Sequence, residues 1–360
     1  MKTDKKDYLL CSFVFFVALM ANEELVAENN LGEFPLCEPS AALLIDCPDD
    51  RDARCLLVAD NEQGRDLYLF AISGDKLSPN VNPTFDLKLP GEEEIGDIEA
   101  LANSGGEILV FGSHSRNVAC DIKKKRKKFG KIDLAGSKTT IVGNLKSKSV
   151  TCSSLYTGKA KDASILAACK QIDTADQNAT AIDNSHKKKQ ISELEAKERC
   201  NFNSAFNAEG AVAFKGETDN ELWIGLRAPL LQTHPEQPKK KNLAILLQLE
   251  NSDSFTFDRV AFVDLDERGI RDMYADGDFI WIIAGPPEDH SEPFQLRRIP
   301  KSALNHSEII ESELVSNNLP NSSEGLAVSG KTVYVVIDGD AGKGTSSCLE
   351  SAKYTILSLD

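Results

Sequence analysis

The sequence predicts an all-β fold, a β-propeller of about six blades with a partly helical insertion between blades. Two patterns predict it. Short apolar runs rich in Val, Ile, Leu, Phe and Trp alternate with Gly, Asp, Asn and Pro along most of the chain, the punctuation of strands and turns rather than of helices. Four segments also repeat one design, in which a strand with an acidic residue near its start crosses a tight turn into a second apolar strand. Such repeated hairpins cannot bury both sheet faces alone, so they stack around an axis.

The repeats run from Asp97 to Ser115, Ala208 to Pro229, Ile270 to Pro286 and Ser323 to Asp340. Their turns are Ser104-Gly105-Gly106, Asp219-Asn220, Asp276-Gly277-Asp278 and Ser329-Gly330-Lys331, all of them turn formers. Ala41 to Ile72 reads as a further blade, and Tyr354 to Leu357 as a strand closing the ring. The insertion spans residues 161–200. Its SILAACKQI and ISELEAKER segments have helical spacing, and Thr174 to Lys189 between them reads as a mobile loop.

Ahead of the propeller, residues 1–21 read as a signal peptide. Lys2, Lys5 and Lys6 precede an apolar run from Leu9 to Ala21 that is shorter than the ~20 residues of a bilayer span. Residues 22–36 read as a polar linker and 37–360 as a single propeller domain. Of nine cysteines, one lies in the leader. The remaining even number favours disulfides in a secreted or periplasmic protein, and without a C-x-x-C pair a thiolate zinc site is poorly supported. The net charge of −15 disfavours nucleic acid, and no membrane association is expected once the leader is removed. The basic run Lys123 to Lys128 reads as a solvated loop. Oligomeric state is left open.

Each repeat carries an acid near its start: Glu99, Glu209, Asp272 and Glu324. If these strands are innermost, the acids line one mouth of the channel, with Asp60, Glu62 and Asp97 beside them. Converging carboxylates repel unless they share protons or hold a cation, and oxygen ligands suit Ca²⁺ or Mg²⁺. Glu99, Glu209, Asp272 and Glu324 are thus the candidate metal ligands. The competing reading has each acid hydrogen-bonding the next blade's backbone. Arg116, Arg227 and Arg271 accompany the acids and would grip an anionic ligand bidentately or pair with the acids themselves. Asp338, ending the last repeat, completes the set. His114 is a candidate lone acid–base group. Ser113 and His114 are adjacent on a strand and so face opposite ways, which argues against a triad.

The phrases LLVADNE (Leu56 to Glu62), DIEALA and GSHSRN (Asp97 to Asn117), FNAEG and IGLRAPL (Phe206 to Leu230), RGIRDM and IIAGPP (Arg268 to Pro287) and SEGLAV (Ser323 to Val328) resemble an uncharacterised, mostly bacterial propeller family known as a domain of unknown function. Their order and spacing fit over residues 38–358. Ala100 and Ala211 depart from the usual Gly and Leu without removing a charge. The E-G-L-A phrase is more loosely similar to esterase-like phytase propellers. The resemblance implies the fold and no settled activity. The expected function is binding of a small anionic or polar ligand, or of a divalent cation, at the channel. The alternatives are a metal-dependent hydrolase of phosphate or carboxylic esters, and an interaction scaffold.

Overall fold

The computed structural model describes residues 27–359 except 33–34, 49, 63, 65, 75, 80–84, 87–93, 118, 134–137, 145–162, 202–205, 217–219, 250–256, 289–292, 306–308 and 342–346. The leader expected over residues 1–21 lies outside the described residues.

Five sheets among the described residues form five blades. The first consists of β2 (Pro39–Cys47), β3 (Asp50–Asp60), β4 (Asp66–Ser73) and β5 (Lys76–Pro79), with β6 (Phe85–Asp86) also paired to β4. The second is β7 (Ile98–Ser104), β8 (Glu107–Gly112), β9 (Lys128–Asp133) and β10 (Lys138–Asn144). The third is β11 (Asn207–Lys215), β12 (Asn220–Ala228), β13 (Ala244–Leu249) and β14 (Phe257–Asp264). The fourth is β15 (Gly269–Asp276), β16 (Phe279–Gly285), β17 (Phe294–Pro300) and β19 (Glu313–Leu319). Between its last two strands, β18 (Ile309–Glu311) reaches back to pair in parallel with β14. The fifth blade is β20 (Ser323–Ser329), β21 (Thr332–Ile337), β22 (Lys353–Ser358) and β1 (Asn29–Asn30). The innermost strands β2, β7, β11, β15 and β20 pack side by side, and β20 returns to β2 to complete the ring.

The count of five corrects the expectation of about six. The last strand does not add a blade; β22 is third in the fifth blade, and its outer neighbour comes from the other end of the chain. Asn29 and Asn30, within the stretch read as a linker, pair with Tyr354 and Lys353. Leu31 donates its N–H to the Ala352 carbonyl at 2.8 Å, and Leu31 and Leu36 are buried. The Cys37–Cys348 disulfide fastens the same seam, and Cys47–Cys55 and Cys120–Cys200 are further bridges.

The core lies between blades. Because each sheet is covered on both faces, its strands are continuously apolar, as in Ala41 to Ile45, all buried. Close approach sets the small residues: a Cβ on Gly210 or Gly225 of the third blade would meet Ile270 Cγ2 of the fourth at 2.8 or 2.7 Å. Only glycine admits that contact without displacing the neighbour.

The insertion contains two helices among the described residues, α1 (Ala163–Lys187) and α2 (Glu193–Asn201). Helix α1 runs through most of the stretch read as a mobile loop. Ile172, Ala175, Ala179 and Ile182 recur at helical spacing and are buried. Thr174 and Thr180 turn their hydroxyls back to the carbonyls of Lys170 and Asp176, so their polarity does not interrupt the helix. One end of α1 packs with Phe206, Leu231 and Phe262 of the third blade, and the other with Cys120 and Ala196. No helix among the described residues is long and apolar enough to cross a membrane.

Candidate functional site at the channel mouth

One irregularity recurs in all five blades. Pairing of each inner strand with the next strand slips by one residue near the start: Pro39↔Asp60 then Ala41↔Ala59; Ile98↔Gly112 then Ala100↔Phe111; Ala208↔Leu226 then Gly210↔Gly225; Ile270↔Ala284 then Asp272↔Ile283; Ser323↔Ile337 then Gly325↔Val336. The residues left over are Ser40, Glu99, Glu209, Arg271 and Glu324. A β-bulge re-aims its extra residue relative to strand alternation. The repetition places one such residue from each blade at one end of the ring.

Three of the four predicted acids occupy this ring. The fourth, Asp272, does not. It follows the bulge and is almost wholly buried. Its Oδ1 accepts the Met273 N–H and its Oδ2 the Leu326 N–H, each at 2.7 Å. It therefore ties the fourth blade to the fifth, and Arg271 takes the ring position instead. Burial pushes the Asp272 carboxyl well above the usual carboxylate range, against the pull of its backbone donors.

Arg271 neutralises two neighbours. Its Nη1 donates to Glu324 Oε1 at 2.8 Å and to Glu209 Oε2 at 3.3 Å, its Nη2 donates to the Pro286 carbonyl, and its guanidinium lies over the Phe294 ring. Glu209 Oε1 also accepts from Arg227 Nη1 at 3.0 Å and Asn207 Nδ2 at 2.8 Å. Glu99 has no hydrogen bond or ion pair among the described residues. Burial first, then the charges of Asp97, Glu209, Glu324 and Asp338, hold its carboxyl well above the ordinary range. Burial likewise raises Glu324 to about 7 against Arg271. Asp338 rises to about 9, through burial and then Glu324. The mouth therefore holds protons near neutral pH.

The other predicted residues divide between the mouth and the scaffold. Asp97, with a left-handed φ of 57°, accepts from Ser113 Oγ and from Ser115 Oγ at 3.0 Å and forms an ion pair with Arg126 Nη1 at 2.9 Å. Burial nonetheless raises its carboxyl. Asp60 is structural: its Oδ2 accepts the Cys37 and Glu38 N–H groups and its Oδ1 the Glu62 N–H, all at 2.9 Å, so it caps the seam between blades one and five. Glu62 is exposed. His114 packs edge-on to Phe206, and its Nδ1 lies 2.6 Å from the Gly112 carbonyl. Burial drives its imidazole down to about 3, which leaves it neutral and unsuited to acid–base work at physiological pH. Arg116 turns away from the ring, with Nε and Nη2 donating to Asp176 Oδ1 on α1 at 3.0 and 2.7 Å.

The sequence reading missed Ser40, which bears no charge, and Arg126, which lay in the run read as a solvated loop. Arg126 Nη1 donates to Ser115 Oγ at 2.7 Å as well as meeting Asp97. Its neighbour Lys127 is buried.

Among the described residues, no group of three or more His, Cys, Asp or Glu is disposed to hold a metal ion. A divalent cation on the ring glutamates would have to displace Arg271 from between Glu209 and Glu324.

Residues 55–333 match a family described as a protein of unknown function. A comparison with curated proteins found no match. Among solved structures, the chain is similar to a GH43_1 enzyme from Xanthomonas citri complexed with xylose, at 7% identity and a TM-score of 0.45, covering 92% of this chain and 90% of that one. It is also similar to YCF48 bound to D1 peptide, at 7% identity and a TM-score of 0.33, covering 85% of this chain and 61% of that one. A third is the extracellular domain of a putative one component system from B. thetaiotaomicron, at 9% identity and a TM-score of 0.35, covering 87% of this chain and 32% of that one. The chain thus spans less than two thirds of the last two structures' length. No activity is carried over from any of them.

Proposed function

This chain belongs to the DUF3616 family of proteins of unknown function, and with no activity to inherit, we propose that the channel mouth binds a small polar ligand. The observation that carries this reading is the bulge repeated in all five blades, which presents Ser40, Glu99, Glu209, Arg271 and Glu324 as one ring. Ser40 spends its hydroxyl on the Ile98 carbonyl of the next blade, so the four charged members of the ring carry the reading. Glu99 is the main contact, because Glu209 and Glu324 already hold guanidinium groups. Carboxyls raised well above their ordinary range stand beside guanidinium groups, so the mouth carries little net charge and favours a neutral polar ligand. Ca²⁺ or Mg²⁺ is the competing occupant. Hydrolysis of an ester is a second reading, favoured by the raised proton affinity of Glu99, a property shared by general acids. We infer export to the periplasm or the exterior, supported by the disulfides and the apolar leader.

Thermal shift and calorimetry on the wild type, Glu99→Gln and Glu209→Gln test the reading, with myo-inositol, xylose, putrescine, Ca²⁺, Mg²⁺ and phosphate as probes. Saturable binding of a neutral probe, lost in Glu99→Gln, is the expected result. A wild type that binds none of them, with variants that merely melt earlier, would make the ring structural.

A further inference from the structure

Twelve of the 41 lysines and arginines stand in three short runs, residues 123–128, 187–189 and 239–241, in a chain whose net charge is −15. The fold gathers these runs at the mouth end of the ring. The first lies between β8 and β9, and β8 ends where Gly112 pairs with Ile98. The second closes α1, in the insertion that leads into β11. The third lies between β12 and β13, beyond the pairing of Ala228 with Asn207. The first two runs meet. Asp121 lies between Lys123 Nζ at 3.6 Å and Lys187 Nζ at 3.3 Å, so side chains from distant parts of the sequence stand together on one carboxylate. The Cys120–Cys200 bridge ties the insertion to the β8–β9 connection one residue away, which holds the two runs together. Lys187 also meets Asp183 at 2.7 Å, and Lys125 meets Glu94 at 3.6 Å. Lys124, Lys188 and Lys189 are exposed and have no ion pair among the described residues. On α2, Glu193 and Glu195 pair with Lys197 and Arg199 of the same helix and do not offset them. Cations held side by side without counter-ions make a local positive field, which attracts anions.

We propose that this patch docks an anionic polysaccharide, a linear polymer carrying carboxylate or sulfate groups, independently of whatever the ring binds. Arg126 is turned to Asp97, so the outward-facing members of the patch are lysines. A lysine is a point charge without a planar fork, which suits a charge repeated along a polymer better than one bidentate phosphate. The exposed large apolar residues, Leu166, Leu194, Leu314 and Leu349, lie outside the runs, so the patch has no apolar wedge of its own for a lipid surface. Phe129, the aromatic residue next to the first run, is buried and offers no face for stacking a nucleic-acid base. The attraction that remains is electrostatic and screened by salt.

Binding of polygalacturonate and of dextran sulfate to the whole protein tests this, with uncharged dextran, phosphatidylglycerol vesicles and a DNA duplex as comparisons. At least one of the charged polysaccharides should bind in ~20 mM salt and dissociate by ~0.5 M, as the screening length shortens. Lys124→Gln/Lys188→Gln/Lys189→Gly should weaken that binding roughly 5-fold for each lysine removed, the order of one lysine's attraction to an anionic surface, and so roughly 100-fold in all. Lys189 has a φ of 57°, which glycine adopts freely, so this variant should melt no earlier than the wild type. Lys76→Gln/Lys215→Gln/Lys331→Gln removes the same charge from exposed turns at the opposite end of the ring and should leave binding unchanged. Equal weakening in the two triple variants overturns the proposal. So does the absence of polysaccharide binding at low salt, or tighter binding of the vesicles or the duplex than of either charged polysaccharide.

Discussion

Arg271 bridges Glu209 and Glu324 through one guanidinium nitrogen, 3.3 Å from the first carboxylate and 2.8 Å from the second. The three residues lie on consecutive inner strands, so a single cation couples three of the five blades at the ring. Removing it leaves two buried acids facing each other. Arg271→Ala is expected to cost roughly 3–5 kcal/mol in denaturant unfolding, the usual penalty for breaking a buried pair from one side. Arg271→Met combined with Glu324→Gln should recover part of that loss. Full tolerance of Arg271→Ala would mean that the ring is solvated rather than paired.

Stability should fall as pH rises from about 5 to about 9. Glu324 and Asp338 have folded-state values raised to about 7 and about 9, above their unfolded values, so the native state binds more protons across that window. The stability carried by those protons is complete below the unfolded carboxylate value and is lost as pH climbs through each folded value. Each group contributes a slope of at most ~1.4 kcal/mol per pH unit. Melting curves across this range check the sign, and Asp338→Asn should flatten the upper part of the profile.

Asp272 and Glu99 should separate structure from ligand. Asp272→Ala orphans the Met273 and Leu326 N–H groups and is expected to cost roughly 2–6 kcal/mol, at about 1–3 kcal/mol for each buried donor. Asp272→Asn keeps one acceptor and should cost less. Neither change alters the residue at the ring position, so a probe that binds wild type should still bind Asp272→Asn while failing on Glu99→Gln. Equal loss of binding in both would contradict the division of roles.

Opening the seam should loosen both ends of the chain together. Cys37 and Cys348 are 311 residues apart in sequence, and losing a native disulfide costs about 2–5 kcal/mol. In Cys37→Ser/Cys348→Ser, hydrogen exchange at Leu31 and along β22 should quicken, while β12 and β13 keep their protection. Uniform loosening of all five blades would show that the seam is not a separate unit.

Much of this arrangement could be read from the residues, and its limits have physical reasons. The hairpins were legible because turn chemistry and apolar runs are local. Glu99, Glu209 and Glu324 were legible because each precedes a small residue at the same point of its repeat. Asp272 was misplaced because the repeats were matched by charge. Matching Ile270-Arg271-Asp272 to Ile98-Glu99-Ala100 by strand position puts Arg271 on the ring, as the pairing register does. The outer strand of the fifth blade was not legible because it is two residues contributed from the far end of the chain, a pairing that no local pattern encodes. Arg126 and Lys127 were hidden because a run of basic residues does not show which of its members turn inward.

The strand that completes the last blade is made before every strand it joins. As the chain emerges, Asn29 and Asn30 have no ladder partner until Lys353 and Tyr354 exist, so this edge must wait for the strands of all five blades. Contacts of such sequence separation form slowly, and an unpaired edge held open meanwhile invites association with other chains. Truncation from either terminus should therefore reduce the soluble yield more than the two residues of pairing suggest. Tags placed against β1 should burden biogenesis more than those placed on surface loops.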